Sequence, residues 1–450
     1  MEDVCSHLSV AMDHTAEKLA ENTSTLPQEL IDHIIDYLHD DKDSLRCCSL
    51  AHRRCLPASS FHLFYRMRFP PCDHPCFMMT KTTVCKCYLV CDSLGLEDLY
   101  TLYTKHPRIR ENIRDLRIDL FRSAARSSGH WIISLAEVVK ILDVAPGIHS
   151  LEIKCKEFVP RAPPVPRRTS RSLSSLILRP SGHITDSRPV MNFLCTFSHI
   201  GSLTLCGRPL SIHPPDVSAL AGVPVRVDRV ELNCIPLSGR IWLDLMREHG
   251  MLSSLNALVF TRHGGGPVAR PVEEVQIVTE SLHSVLQNCK AIRSISCDQE
   301  PFLGLATYPS TCPSLRELEF RVGFWIRAPG PDSTIPRCWN MITEFMAGQL
   351  ASTIEDLTLD LDLDLPRDVP RSFEAVSQQL TAQLASLDWG PLRRVHSITV
   401  KLAIDIRYRE PQTWVGDKDA SMIAVQRGIR SHLTSQQRFT FCGSYLSLSF

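Results

Sequence analysis

From Leu26 onward the chain places apolar residues at helical intervals: Leu30, Ile31, Ile34, Ile35 and Leu38 fall on one broad face, with Asp32, His33 and Asp36 toward the other. Recurrence at three and four residues marks an amphipathic helix. Ser24 or Thr25 suits its N-cap, and Pro27 its first turn, where a missing N–H has no intrahelical partner to lose. After an acidic connector, His39-Asp40-Asp41-Lys42-Asp43, the residues Leu45, Cys47, Cys48, Leu50 and Ala51 predict a second, shorter helix that ends before Pro57. Two short helices cannot bury their own faces, so this module requires cover from the following chain or from a partner. The polar segment before it, 1–25, is expected to be a flexible leader.

Beyond a candidate strand from Phe64 to Phe69 the period changes. A unit of one apolar residue, two others, apolar, one other, apolar now recurs ten times: Ile113/Leu116/Ile118, Ile148/Leu151/Ile153, Leu173/Leu176/Leu178, Ile200/Leu203/Leu205, Val227/Val230/Leu232, Leu255/Leu258/Phe260, Ile292/Ile295/Cys297, Leu315/Leu318/Phe320, Ile354/Leu357/Leu359 and Val395/Ile398/Val400. Middle positions lie 23 to 41 residues apart. Leucine-rich repeats run about 20–29 residues with this short strand pattern, so five of the nine steps fit and four need longer loops. Helical stretches fall between the strands: Leu94 to Thr104, Ile132 to Val144, Val190 to Phe197, Arg240 to Glu248, Glu273 to Asn288, Trp339 to Ala351 and Phe373 to Leu387. The expected fold class is therefore α/β, with a short helical module (26–63), a linker carrying a cysteine-rich insertion (64–112), and an irregular leucine-rich-repeat-like solenoid (113–450). The standard repeat carries Asn or Cys three residues past its last Leu. Here that position holds Phe121, Lys156, Ser181, Arg208, Ile235, His263, Glu300, Gly323, Asp362 and Ala403, so the side-chain ladder is absent and the coil is less regular. An open α/β sheet without solenoid curvature is the alternative.

Residues alternating with the buried set point away from the core. They form the candidate substrate face: Arg117, Asp119, Glu152, Lys154, Arg179, Glu231, Asn233, Asp298, Glu319, Arg321, Asp360 and Lys401, extended by Asp362 and Asp364 along the ninth strand. Mixed signs suit a protein ligand with its own charge pattern and argue against a nucleic-acid track. The three aspartates read first as a solvated strand face, with Arg367 and Arg371 near enough in sequence to neutralise them.

Composition narrows the partners further. Lys plus Arg and Asp plus Glu number 49 each in 450 residues, so no net field draws the chain to nucleic acid or an anionic membrane. No apolar run approaches the ~20 residues that cross a bilayer, and Met1 to Glu21 lacks a signal-peptide core. Eighteen cysteines without such a signal point to the reducing cytoplasm or nucleus. Cys72, Cys76, Cys85, Cys87 and Cys91, with His74, place soft ligands close together, but not at the paired two-residue gaps of structural zinc sites; reduced thiols in an insertion are the expectation, with no metal or cofactor. His263-Gly264-Gly265-Gly266 is similar to a hydrolase oxyanion loop, yet no G-x-S-x-G elbow accompanies it, and no P-loop, dinucleotide fingerprint or HExxH helix is present. A flexible turn accounts for it. The loop Arg161 to Arg171, rich in Pro and Arg, is expected to lack regular structure. No residue is a catalytic candidate, and the chain reads as a binding protein, not an enzyme.

The helical module adds a resemblance. Leu26-Pro27-x-Glu29-Leu30-Ile31-x-x-Ile34-Ile35-x-Tyr37-Leu38, followed by Leu45-Arg46-Cys47-Cys48-Ser49-Leu50, resembles the F-box, and Leu56 to Phe64 resembles the extension found in large fungal F-box families. The resemblance implies docking on the Skp adaptor of a cullin–RING ubiquitin ligase through Leu26, Pro27, Leu30, Ile31, Ile34, Ile35, Leu38, Leu45 and Leu50. The repeats would then hold an unknown protein substrate for ubiquitin-dependent degradation. The sequence departs from the family where its usual Val and Trp appear as Ala51 and Cys55, and in a connector about two residues longer. Losing a large buried aromatic costs about 3–5 kcal/mol in a well-packed site. A repeat scaffold with a non-functional F-box is the alternative.

Overall fold

The computed structural model describes residues 26–69, 95–120, 132–159, 171–181, 183–184, 186–209, 225–233, 236–261, 280, 284–298, 312–325, 353–364, 372–385, 388–390, 392, 395–405 and 416–446. Among the described residues three short helices come first: α1 (Gln28–Asp36), α2 (Lys42–Ala51) and α3 (Leu56–Tyr65), the last running directly into β1 (Arg66–Phe69). There follow α4 (Leu96–Lys105), α5 (Pro107–Asn112), β2 (Asp115–Asp119), β3 (Ile132–Ile133), α6 (Leu135–Val144), β4 (Ser150–Cys155), β5 (Glu157–Phe158), β6 (Ser172–Pro180), β7 (His183–Ile184) and α7 (Arg188–Leu194). The second half comprises β8 (His199–Cys206), β9 (Arg208–Pro209), β10 (Arg226–Asn233), α8 (Pro236–Glu248), β11 (Ala257–Thr261), β12 (Ser294–Asp298), β13 (Glu317–Trp325), β14 (Asp356–Asp364), α9 (Phe373–Ala385), β15 (Ser397–Asp405), α10 (Lys418–Arg430) and β16 (Arg438–Leu446).

Twelve strands form one parallel sheet in the order β1-β2-β4-β6-β8-β10-β11-β12-β13-β14-β15-β16, so each lies beside the next long strand of the chain. The fold is mixed α/β and the sheet is not a closed barrel. Two minor parallel pairs, β3 with β5 and β7 with β9, lie outside it.

The apolar triads explain both order and register. Each of the ten feeds one strand of the sheet, and all thirty residues are buried. Their middle members pair Cα to Cα from Leu116 through Leu151, Leu176, Leu203, Val230, Leu258, Ile295, Leu318 and Leu357 to Ile398. A slip of one residue would turn a whole strand's apolar set to the other face, so burial enforces this register. A repeated backbone bond marks strand entry: His149 N–H donates to Arg114 O (2.7 Å), Ser174 to His149 (2.8 Å), Arg316 to Arg293 (2.9 Å), Glu355 to Arg316 (2.8 Å) and His396 to Glu355 (3.0 Å).

Parallel neighbours need a crossover, and helices supply it where they are described, with α4 against α6, α6 against α7, and α9 against α10. Their apolar stripes, including Leu99, Val138, Ile141, Phe193, Trp242, Val376 and Val425, complete the core with the inward strand residues. Cys155, Cys206, Cys289, Cys297 and Cys312 are buried. Burial pushes the Cys206 and Cys289 thiols up to about 11, so they remain protonated and pack as small apolar groups.

Several expectations change. Residues 66–69 and 95–112, expected within a linker, belong to the sheet and its core: β1 pairs with β2, and Phe69, Leu96, Leu99 and Tyr103 are buried. Pro27 itself occupies the N-cap position of α1 and no side chain caps that helix. Ile132 and Ile133 form a strand before α6, not its first turn. The leader, the Cys72–Cys91 insertion, the His263–Gly266 turn, all but Arg171 of the Arg161–Arg171 loop, the Trp339–Ala351 helix and, apart from Glu280 and 284–288, the Glu273–Asn288 helix lie outside the described residues.

Candidate protein-interaction surfaces

The three opening helices form a small module of their own. Asp41 starts α2 by accepting hydrogen bonds from the N–H groups of Asp43 (3.2 Å) and Ser44 (3.1 Å), and from the Ser44 hydroxyl (2.6 Å). The Ser44 bonds hold the Asp41 carboxyl below its ordinary range. Gln28 closes the module at one end: its Nε2 donates to Arg54 O (2.8 Å), and its Oε1 accepts from Arg54 Nε (3.1 Å). His62 of α3 meets Asp36 at the far end of α1 (2.7 Å). The module joins the sheet through α3, which packs on α5 and leads into β1.

These contacts divide the apolar residues of α1 into two stripes. Ile35 is buried, and Ile31 and Leu38 half-buried, facing the module interior with buried Leu45 of α2. Leu26, Leu30 and Ile34, spaced at four residues, face outward at 50%, 47% and 54% exposure, joined by exposed Pro27, Tyr37 at 77% and Leu50 at 87%. Among the described residues five of the eight exposed large hydrophobic side chains lie between Leu26 and Leu50. Isolated exposed apolar residues are ordinary, but a concentration on one short module is the kind of surface a partner covers. Of the nine residues assigned to adaptor docking by resemblance, Ile35 and Leu45 are therefore buried and Ile31 and Leu38 turn inward; Tyr37, not among the nine, joins the outward stripe.

The second surface is the sheet face opposite the apolar triads. Register places the outward residues in rows: Arg68, Arg117 and Glu152 adjoin in one, Lys154 and Arg179 in the next, and Arg321, Asp360 and Lys401 further along. The rows are not uniformly charged. Thr204, Val259 and Ser296 occupy the middle of the face and are buried, leaving a charged cluster at either end and Glu231 and Asn233 half-buried between them.

At the C-terminal end Glu319 bonds Lys401 Nζ (2.7 Å) and lies 3.5 Å from Arg321, which also faces Asp360 at 3.6 Å. Burial raises the Glu319 carboxyl, but the hydrogen bond from Lys401 and the charges of Arg321 and Lys401 outweigh it and hold the group below its ordinary range. Burial wins at Asp360, whose carboxyl is raised. Asp298 pairs with Arg321 along the backbone, and Asp362 and Asp364 continue β14; the side chains of all three lie outside the described residues.

At the N-terminal end Asp119 sits 2.8 Å from Arg68 and 3.5 Å from Arg117, while Glu152 is shared by Arg117 (3.3 Å), Lys154 (3.3 Å) and Arg179 (3.6 Å). Asp119 is buried, so it serves as the floor of the cluster and not as part of its outer surface. Arg68 is the member absent from the sequence reading; its alternation with Met67 and Phe69 is the signal that places it.

A comparison with protein-family models gives no match, nor does one with curated proteins. The surfaces stand on their own geometry. Among the described residues no group of three or more His, Cys, Asp or Glu is placed to hold a metal ion, and no helix is long and apolar enough to cross a membrane.

Proposed function

We propose that the chain is the substrate-recognition adaptor of a Skp–cullin–F-box ubiquitin ligase. In this reading α1–α3 are an F-box, and the parallel sheet with its helices is an irregular leucine-rich-repeat-like solenoid that holds a protein substrate. The observation that carries it is the outward apolar stripe Leu26, Leu30, Ile34, Tyr37 and Leu50, on helices whose sequence resembles the F-box and whose interior is closed separately by Ile35 and Leu45. The sequential strand order supports the solenoid, since stacking one unit on the last is how a repeat array buries its core. The chain would contribute proximity, raising the local concentration of substrate beside a ligase whose chemistry resides on other subunits.

The test compares tagged wild-type chain with a Leu30→Asp/Ile34→Asp variant in pull-downs from eukaryotic extract, scored for the Skp adaptor and cullin. Both positions are about half exposed, so the variant should fold as the wild type does. Adaptor captured by the wild type and lost in the variant is the expected result. Adaptor absent from both overturns this function and leaves a repeat scaffold with a non-functional F-box, the reading that Ala51 and Cys55 favour.

A further inference from the structure

The two edges of the twelve-stranded sheet are unlike. β1 is four residues long and carries Arg66 and Arg68, the short, charged kind of edge that resists pairing with another chain. β16, at the other edge, is nine residues long, and its one charged residue is Arg438 at its start. Among the described residues no strand pairs with its outer side.

The unit ending in β16 also leaves apolar surface uncovered. Phe439 and Phe441 pair with Ile398 and Val400, which are fully buried in β15, yet both remain half-buried, although the Arg430 guanidinium lies 5.9 Å over the Phe439 ring. On α10, Gly428 faces α9, where an added Cβ would lie 2.6 Å from Thr381 Cγ2. Ile423 comes five residues earlier, about 140° round the helix, so it is turned away from α9, and it is 46% exposed. That is the side on which a further unit would stack, and the end of a repeat array needs a polar cap or a partner over such a surface.

Backbone direction decides the register of any strand added there. The Arg438 N–H donates to His396 O (2.9 Å). Arg438, Thr440 and Cys442 therefore turn their N–H and C=O groups toward β15, and Phe439, Phe441, Gly443 and Tyr445 turn theirs outward. From this geometry we infer that two copies of the chain join β16 to β16, antiparallel about a two-fold axis through Cys442. Cys442 is the midpoint of the strand. Only with the axis there do all four outward residues find partners: Phe439 pairs with Tyr445 of the partner subunit, and Phe441 with Gly443 of the partner subunit, each pair repeated by symmetry.

A second copy suits this edge for two reasons. A strand added in parallel only moves the open edge outward, whereas a two-fold contact closes both edges at once. The single charge of each strand, Arg438, also falls opposite Leu446 of the partner subunit, roughly 27 Å along the strand from its own symmetry mate, so no like charges meet. The same axis turns the outer sides of the two α10 helices, with Ile423, toward each other. Cys442, exposed on the outer face, lies opposite its own copy at a non-hydrogen-bonded position with Cα atoms ~4.5 Å apart, a separation that a disulfide can span. The inference uses no residue of the helical module and holds whether or not an adaptor binds there.

Sedimentation equilibrium of the full chain tests it: the mass rises with concentration from 50.7 kDa toward twice that value. Oxidation by dissolved oxygen with copper phenanthroline traps a Cys442–Cys442 cross-link, located by peptide mapping. Cys442→Ser removes the cross-link and keeps the dimer. Cys442→Lys sets like charges face to face on the axis and raises the dissociation constant by at least about tenfold, as does Cys442→Glu. An equimolar mixture of those two variants recovers the dimer, a gain that misfolding cannot produce. In hydrogen exchange the outward amides of Phe439, Phe441, Gly443 and Tyr445 slow only as the dimer forms. A mass of 50.7 kDa at every concentration overturns the inference, and so does a dimer that Cys442→Lys leaves intact. Outward amides already slow in the monomer overturn it as well, because the edge is then covered by the chain itself.

Discussion

Gln437 is a buried amide just before β16, and its replacement by leucine measures how the final unit is held. Its Nε2 donates to Leu392 O at 2.8 Å and Val395 O at 2.9 Å, while its Oε1 accepts the Thr434 N–H at 2.9 Å. One side chain thus ties the turn before β16 to the chain entering β15. Leucine has a similar volume and leaves little cavity, so the effect comes from polar groups that lose their partners. Leu392 O still accepts the Val395 N–H at 3.1 Å, which moderates the loss there. An unsatisfied buried group costs about 1–3 kcal/mol, and an under-satisfied carbonyl sits at the low end, so the expected total is about 2–4 kcal/mol. Because strands contact only their neighbours in the sheet order, the loss should remain local. Hydrogen exchange is the suitable assay: amides of α10 and β16 should open roughly thirty- to several-hundred-fold more often, while those of β4, β6 and β8 keep their rates. Unchanged exchange over 418–446 would refute the role given to the amide. A uniform rise across the sheet would refute neighbour-only transmission.

Three further outcomes follow from the same geometry. Leu45→Ala, at a fully buried position of α2, should destabilise the helical module by about 2–5 kcal/mol, whereas Leu50→Ala on the same helix should stay within about 0.5 kcal/mol in thermal unfolding. Gly207 has φ +102°, and an added Cβ would lie 2.7 Å from Pro180 Cγ, so Gly207→Ala should cost about 1–2 kcal/mol in denaturant titration, from left-handed backbone strain before any clash. Glu319 has a lowered folded-state pKa, so its contribution is fully present above its unfolded value and lost as pH falls through the lower folded one. The stability difference between wild type and Glu319→Gln should be largest near neutrality and shrink below about pH 4; a difference that persists unchanged at lower pH contradicts the Lys401 pairing.

The strand phases were legible because each triad commits three apolar residues to burial, and the last two residues of every triad lie on a strand, with the first on it or just before it. β16 escapes the pattern because its first apolar position holds Gln436, leaving only Phe439 and Phe441, which pair with Ile398 and Val400. α10 is readable in retrospect from the Asp417 cap and the buried spacing Met422, Val425, Ile429, but it lies beyond the last triad. The sheet face was legible as a set of outward positions, since alternation alone defines it. Which carboxylates sink was not: Asp119 is buried beside Arg68, fifty-one residues earlier in the chain. The same limit applies to α1, where Leu30 and Ile31 look alike in sequence, yet one is exposed and the other half-buried.

The sequential order of the sheet also bears on how such a chain can change length. The helical module adjoins β1, and each later strand of the twelve-stranded sheet lies beside the one before it in the chain. The join between helices and sheet is therefore made entirely at the β1 end. Units at the β16 end can be duplicated, lost or lengthened without altering that join, which leaves the distal coils free to diverge in length while the end carrying the outward apolar stripe is inherited intact.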